Sequence, residues 1–359
     1  MRKINKFGYL LVFTIPLSFL LSFYSGNTYM MYSLPFMMFI VMPIIDPLFG
    51  VDNQNYDSEK EKQLKDESFY KVVLYAWAIV QTLMMLWIVY QFAIRSISTA
   101  YIIPMVINTM IMNGGVGIVV AHELGHKNNK LDKYLAKLLL IQVFYGHFTV
   151  KHNRGHHLNV GTPLDTATSR LDQTYYSFWK QSVFKGFISA IEIENEYLKN
   201  KKIKKSLFNH EVYYSVFFSC LFLLLSSLIV YVFNEQMLLL YLVFFIAQTF
   251  LSISLLESVE YIEHYGIIRN LKEDSTYEKT NATHSWNANF IISNYFLFQL
   301  QRHSDHHLYA TKNYQILKQY DESPQLPNGY PAMVLLTLLP PIWFKIMNKR
   351  VITWKNENE

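Results

Sequence analysis

Nine of the twelve histidines fall in four short clusters whose spacing suits metal ligation. The first is His122-Glu123-Leu124-Gly125-His126-Lys127, where positions i and i+4 of a helix share one face. The second is His152-Asn153-Arg154-Gly155-His156-His157, and the third is His303-Ser304-Asp305-His306-His307. A single further ligand stands in Glu263-His264-Tyr265-Gly266. Neutral imidazole suits zinc, copper, iron and nickel. One zinc takes about four ligands, so nine imidazoles exceed one site and fit two metals. A centre built on imidazole alone is strongly positive, and nearby carboxylates offset that charge. Glu123, Asp165, Glu263 and Asp305 are the candidates to accept a hydrogen bond from the far ring nitrogen of a ligand.

The rest of the chain must hold these clusters at one place, and its composition says how. Of 359 residues, 51% are hydrophobic and only 16% charged, against about 25% charged in a soluble protein. Six runs are long enough to cross a hydrocarbon core of about 30 Å: 8–24, 29–49, 72–93, 97–121, 212–233 and 237–259, none containing Lys or Arg. Short links pair them into three helical hairpins. The expected fold is an all-α polytopic membrane bundle of about six transmembrane helices, a single domain over 1–359, with a histidine-rich cap. The first run, behind Arg2, Lys3 and Lys6, exceeds the usual apolar length of a cleaved leader and reads as a retained span. With the N-terminus cytoplasmic, the cytoplasmic parts are 1–7, 50–71, 122–211 and 260–359, and of the 32 Lys and Arg only Arg95 lies on the other side. All four histidine clusters then share the cytoplasmic face.

Of two further apolar pieces, 134–148 reads as an interfacial or re-entrant helix and 331–347, interrupted by Pro340-Pro341, as interfacial; 57–71 reads as a charged loop or short helix. Asp46 is an intramembrane acid that is either functional or snorkels to the interface. Gly114, Gly115 and Gly117 allow close helix packing or leave room for a ligand. His147 and His284 lie near the boxes but outside ligand positions, and His210 reads as an ordinary interfacial residue. The net charge of +5 fits a membrane surface and not a nucleic-acid stripe. One cysteine, Cys220, expected to be buried in the fifth span, excludes a disulfide framework and a cysteine-held cluster.

The combined motifs resemble the integral-membrane alkane 1-monooxygenase family. The resemblance covers about residues 40–350 and includes Thr162-Pro163-Leu164-Asp165, Tyr261-Ile262-Glu263-His264-Tyr265-Gly266, and Leu300-Gln301-Arg302 before the last box. Two positions depart from the family's usual pattern: Lys151 stands where Glu is usual and Glu260 where Asn is usual. The resemblance implies a non-haem di-iron enzyme of the bacterial inner membrane. It would place one oxygen atom of O2 on the terminal methyl of a medium- to long-chain n-alkane. It also implies nine iron ligands: His122, His126, His152, His156, His157, His264, His303, His306 and His307. An unactivated C–H bond offers no handle for acid–base chemistry, so a cofactor must carry the hard step. Rubredoxin iron needs four cysteines, so the electron donors implied are rubredoxin and rubredoxin reductase in trans. The basic run 199–205 would meet an acidic donor or, more simply, anionic lipid. A desaturase or xylene-type monooxygenase is the nearest rival. A zinc protease on His122, Glu123 and His126 leaves seven clustered histidines unexplained.

Overall fold

The computed structural model describes residues 5–358, and among these the chain is helical, with three isolated β-bridges and no strand. Arg2 and Lys3, invoked above for orientation, lie outside the described residues. Five stretches are long and apolar enough to cross a membrane. They are α1 (Lys6–Tyr24), α2 (Met30–Phe49), α4 (Ser68–Ile94), α5 (Thr99–Gly125) and the 54-residue stretch Glu211–His264. The last breaks at a 3₁₀ turn, Glu235–Met237, into α9 (Glu211–Asn234) and α10 (Leu238–His264). At 27 residues α4 and α10 each run about 40 Å, which exceeds the hydrocarbon core and leaves polar-side turns to carry side chains.

Side-chain caps mark where several helices begin. Ser98 accepts from the Ala100 amide at the start of α5, and Asn129 from Leu131 at the start of α6 (Lys130–Ile141). The 57–71 stretch holds a short helix, α3 (Ser58–Lys65), with Asp57 accepting from the Lys60 amide. The apolar piece 134–148 is not one helix: α6 stops at Ile141, and Phe144 turns the chain at φ 52°. Gly146 then packs so closely on Ser215 that a Cβ would fall 2.5 Å from its Cβ. The tail forms α13 (Tyr330–Thr337) and α14 (Pro340–Asn358), and α14 runs well past the expected end at Met347.

The outer faces agree with a lipid solvent. Leu224, Leu228, Val232, Phe233, Leu239 and Ile246 of the α9–α10 hairpin are exposed, whereas Trp77, Phe92, Phe244 and Tyr241 are buried between helices. Cys220 is exposed on α9 and not buried, because it lies on this outward face. His210, the N-cap of α9, is buried, stacks on Tyr213 with centroids 3.8 Å apart, and its Nδ1 accepts from the Tyr213 amide. Asp46 does not snorkel. It is buried, and its Oδ1 accepts from the Ile292 and Ser293 amides, both at 3.0 Å, at the start of α11 (Ile291–Phe296). It joins the second span to the polar cap.

Candidate metal centre

Four helix ends converge. His122 lies in the last turn of α5 and His126 is its C-cap. Upstream, the Ile111–Gly117 segment of α5 is a wide π turn, which sets the rotation of everything after it. The second box lies on α7 (148–159), whose central segment Lys151–His156 is also π-helical. The last box is α12 (His303–Leu308), and His264 is the final residue of α10. Beyond His264, Tyr265 is extended and Gly266 adopts φ 71°, where a Cβ would lie 3.0 Å from Val351. That turn explains the glycine after His264-Tyr265.

The nine histidines meet in two groups, each with ligand atoms within 4.8 Å of one another. His122, His126, His152, His157 and His306 form one; His156, His264, His303 and His307 form the other. The boxes therefore split. In the π turn, His152 and His157 face together with Nε2 atoms 3.0 Å apart, while His156 turns to the second group. On α12, His303 and His307 pair at 3.0 Å, while His306 reaches His122 at 3.0 Å and His157 at 3.1 Å. His122 and His152 approach at 2.9 Å, and His264 and His303 at 3.2 Å. The groups abut, with the His157 and His307 ring centroids 4.6 Å apart.

These spacings fit metal ions. Two ligands on bonds of about 2.1 Å, subtending about 90°, stand about 3.0 Å apart. The Nε2 atoms of His126 and His156 are buried with no hydrogen-bond partner. Burial first, and neighbouring imidazoles second, hold His126, His152, His303, His306 and His307 well below the ordinary histidine range. His157 is lowered by the same causes. All six are neutral at pH 7, with a lone pair free to ligate.

The four carboxylate candidates separate by position. Asp165 Oδ2 accepts from His156 Nδ1 at 2.8 Å and from Thr168 at 2.6 Å, behind the ligating face. Burial alone lowers His156, but Asp165 outweighs it and raises that ring; burial raises Asp165, but His156 and the Thr168 and Ala167 donors bring it to about 2. Glu263 Oε2 lies 3.2 Å from His303 Nε2, the ring nitrogen that also faces His264 and His307, so it stands at the edge of the four-histidine group. Its Oε1 accepts from the Tyr330 hydroxyl at 2.9 Å. Glu123 turns to Lys127, at 2.7 Å, and to the Tyr314 amide. Asp305 accepts from Lys312, Tyr320 and the Lys318 amide and so ties down the following loop. His147 packs against Tyr145 and Phe187, and His284 accepts from the Asn281 amide; neither joins a group.

Other buried groups, whose roles the sequence did not assign, surround the site. Arg302 is fully buried, and its Nη2 donates to the Asp52 carbonyl at 2.5 Å and carboxylate at 3.1 Å, so the residue before His303 is anchored beyond the end of α2. Behind His152 lie Lys151, Glu257, Glu260 and Tyr145, all buried. A separate apolar cavity lies between α2, α5, α10, α11 and α13. Its walls include Met42, Ile111, Gly114, Val119, Leu256 and Val259, with hydroxyls from Ser293 and Tyr330 alone. Val119 is one turn from His122, and Tyr330 bonds Glu263, so two of its wall residues adjoin the histidine groups.

Helical spans that end in histidine boxes converging as two buried groups that could hold metal define the histidine-box class of membrane oxidoreductases. Residues 96–337 match the family model described as fatty acid desaturase. The chain is 38% identical to an alkane 1-monooxygenase of Acinetobacter baylyi, covering 90% of this chain and 78% of the relative. It is 37% identical to alkane 1-monooxygenase 2 of Pseudomonas aeruginosa, over 98% and 93%. To alkane 1-monooxygenase 2 of Alcanivorax borkumensis it is 36% identical, over 98% and 92%. Within that class, the chain belongs to the alkane 1-monooxygenase family.

Proposed function

We propose that this chain, acting as one membrane-integral unit over 1–359, converts medium- to long-chain n-alkanes to 1-alkanols with O2. The observation that carries the reading is the pair of abutting five- and four-histidine groups, with an almost purely hydrocarbon cavity whose wall residue Val119 stands one helical turn from His122. His122, His126, His152, His157 and His306 would hold one iron; His156, His264, His303 and His307 would hold the other. When bound, two irons supply the redox chemistry that an unactivated C–H bond requires.

The chain's own residues do the rest. Cavity walls of Met, Ile, Leu and Val accept an alkane already dissolved in the bilayer and offer almost no polar partner to a lipid headgroup. Val119, a turn from His122, directs the innermost end of the substrate toward the histidines, which favours the terminal methyl. Burial of eight ligands keeps bulk water away from the reacting carbon. Asp165 holds the His156 ring by its Nδ1 proton.

Six spans, with α9 and α10 as separate crossings, and histidine boxes on the cytoplasmic side of the inner membrane accord with the position of Arg95. It follows α4, at the opposite end of α5 from His122. Cys220 cannot build a rubredoxin site, so rubredoxin and its reductase act in trans.

The test is an octane-to-hexadecane series with O2, NAD(P)H and reductase, with and without rubredoxin, on protein assayed for metal. Two irons per chain and a rubredoxin-dependent 1-alcohol carrying one atom from labelled O2 are expected. One zinc per chain, label from water alone, or an alkene made from an acyl lipid would refute the reading.

A further inference from the structure

Lys151 and Glu260, both singled out in the sequence, touch. Lys151 Nζ donates to Glu260 Oε2 at 2.8 Å, to Glu257 Oε1 at 3.1 Å and to Ser182 Oγ at 2.7 Å, so all three of its protons are placed. Tyr145 donates to the same Glu257 oxygen. Gly186 leaves the space for the lysine stem: a Cβ there would lie 3.1 Å from Lys151 Cδ and 3.3 Å from Cε. The ammonium is thus built in from four elements: α7, α8 (175–200), α10 and the turn before α7.

The other oxygen of Glu260 has a different neighbour. Oε1 stands 3.7 Å from Nδ1 of His152, just beyond hydrogen-bond distance, and both atoms are buried with no hydrogen-bond partner. His152 meets His122 and His157 through Nε2, so Nδ1 is its rear nitrogen. Asp165 occupies the equivalent place behind His156 of the four-histidine group. None of the other four members of the five-histidine group has a carboxylate at a rear ring nitrogen; Glu260 is the group's only acid so placed, among the described residues.

We infer that Lys151 is a positioning residue for the five-histidine site: by gripping Oε2 it fixes Glu260 so that Oε1 faces His152 Nδ1 and sets that ring's tautomer and orientation. A carboxylate behind a ligating imidazole raises its basicity, and loss of such a partner typically lowers metal affinity about 10- to 100-fold. The inference rests on the two-metal reading above. It adds that this chain controls its two sites by different means: a carboxylate held by hydroxyl and amide donors behind one, and a carboxylate held by a buried lysine behind the other.

The experiment compares the full-length protein with Glu260→Gln, Lys151→Met and the double variant, all loaded with ⁵⁷Fe(II) in nanodiscs. Mössbauer spectra and the rate of iron loss to a chelator are read, with thermal unfolding recorded separately. The expected result is one altered quadrupole doublet of two, with about 10- to 100-fold faster loss of that iron only. Glu260→Gln and the double variant should match, because Lys151 acts through Glu260. Should Lys151→Met alone fail to accumulate, Glu260→Gln against the double variant still decides, since that pair differs only at Lys151. Unaltered spectra with a lower unfolding temperature, equal change at both irons, or a further loss in the double variant would overturn the inference. An unaltered protein that takes up no second iron would instead overturn the two-metal reading beneath it.

Discussion

Replacing Gly114 by Ala tests whether the contact between α5 and α10 sets the distance between the two histidine groups. A Cβ at Gly114 would lie 2.6 Å from the Ser252 carbonyl oxygen and 2.7 Å from its Cα. Carbon contacts sit at about 3.5–4.0 Å, so the helices must part by about 1 Å, and backbone has no rotamer by which to yield. Overpacking of this kind costs about 1–3 kcal/mol. The larger effect is on function, because α5 carries His122 and α10 carries His264, one in each group. A misplacement of about 1 Å at reacting groups lowers turnover about 100-fold. Gly115→Ala is the control: its Cβ would meet only Leu255 Cδ2, at 3.5 Å, an ordinary contact. In nanodiscs, Gly114→Ala should unfold at lower temperature and lose about two orders of magnitude in kcat/KM, while Gly115→Ala stays near the parent in both. Equal behaviour of the two variants would refute the reasoning.

His264→Ala should remove one iron and abolish turnover, since the four-histidine group drops to three; metal analysis showing two irons and full activity would remove His264 from the site. Asp165→Asn should weaken iron at the four-histidine group about 10- to 100-fold, read as chelator-release kinetics, with the five-histidine iron unmoved. Metal-free protein should lose stability in acid. His126, His152, His157, His303, His306 and His307 are held below their unfolded value of about 6.5, so the unfolded chain binds more protons below that pH and stability falls as pH drops through it. A melting temperature flat from pH 8 to 5.5 would contradict that sign.

Spans and boxes were legible because each rests on a local pattern: apolar runs of bilayer length, and histidines three to five residues apart. How the boxes share two sites was not. The π turn at Lys151–His156 sends His156 away from His152 and His157, and ordinary helical spacing groups His152 with His156 instead. The carboxylates also divide by tertiary position. Glu123 and Asp305 sit beside ligands in sequence yet face lysines, because on a helix the residue next to a ligand points about 100° away from it. Glu260 lies one turn before His264, but its Oε1 faces His152 of the other group, an approach set by how α10 packs on α7. Cys220 faces outward where burial was expected, because hydrophobic runs locate a helix without giving its rotation.

The wide turn at Ile111–Gly117 makes α5 sensitive to chain length in a way an ordinary helix is not. A π turn holds one residue more than the α turns around it, so the segment can shed a residue and become regular. Backbone hydrogen bonding would improve, yet everything downstream would rotate by about 100° and draw back by about 1.5 Å. His122 and His126 would then point at the neighbouring helices while the span still crossed the bilayer. A one-residue deletion here separates membrane insertion from metal assembly, two properties that most lesions in a buried helix remove together.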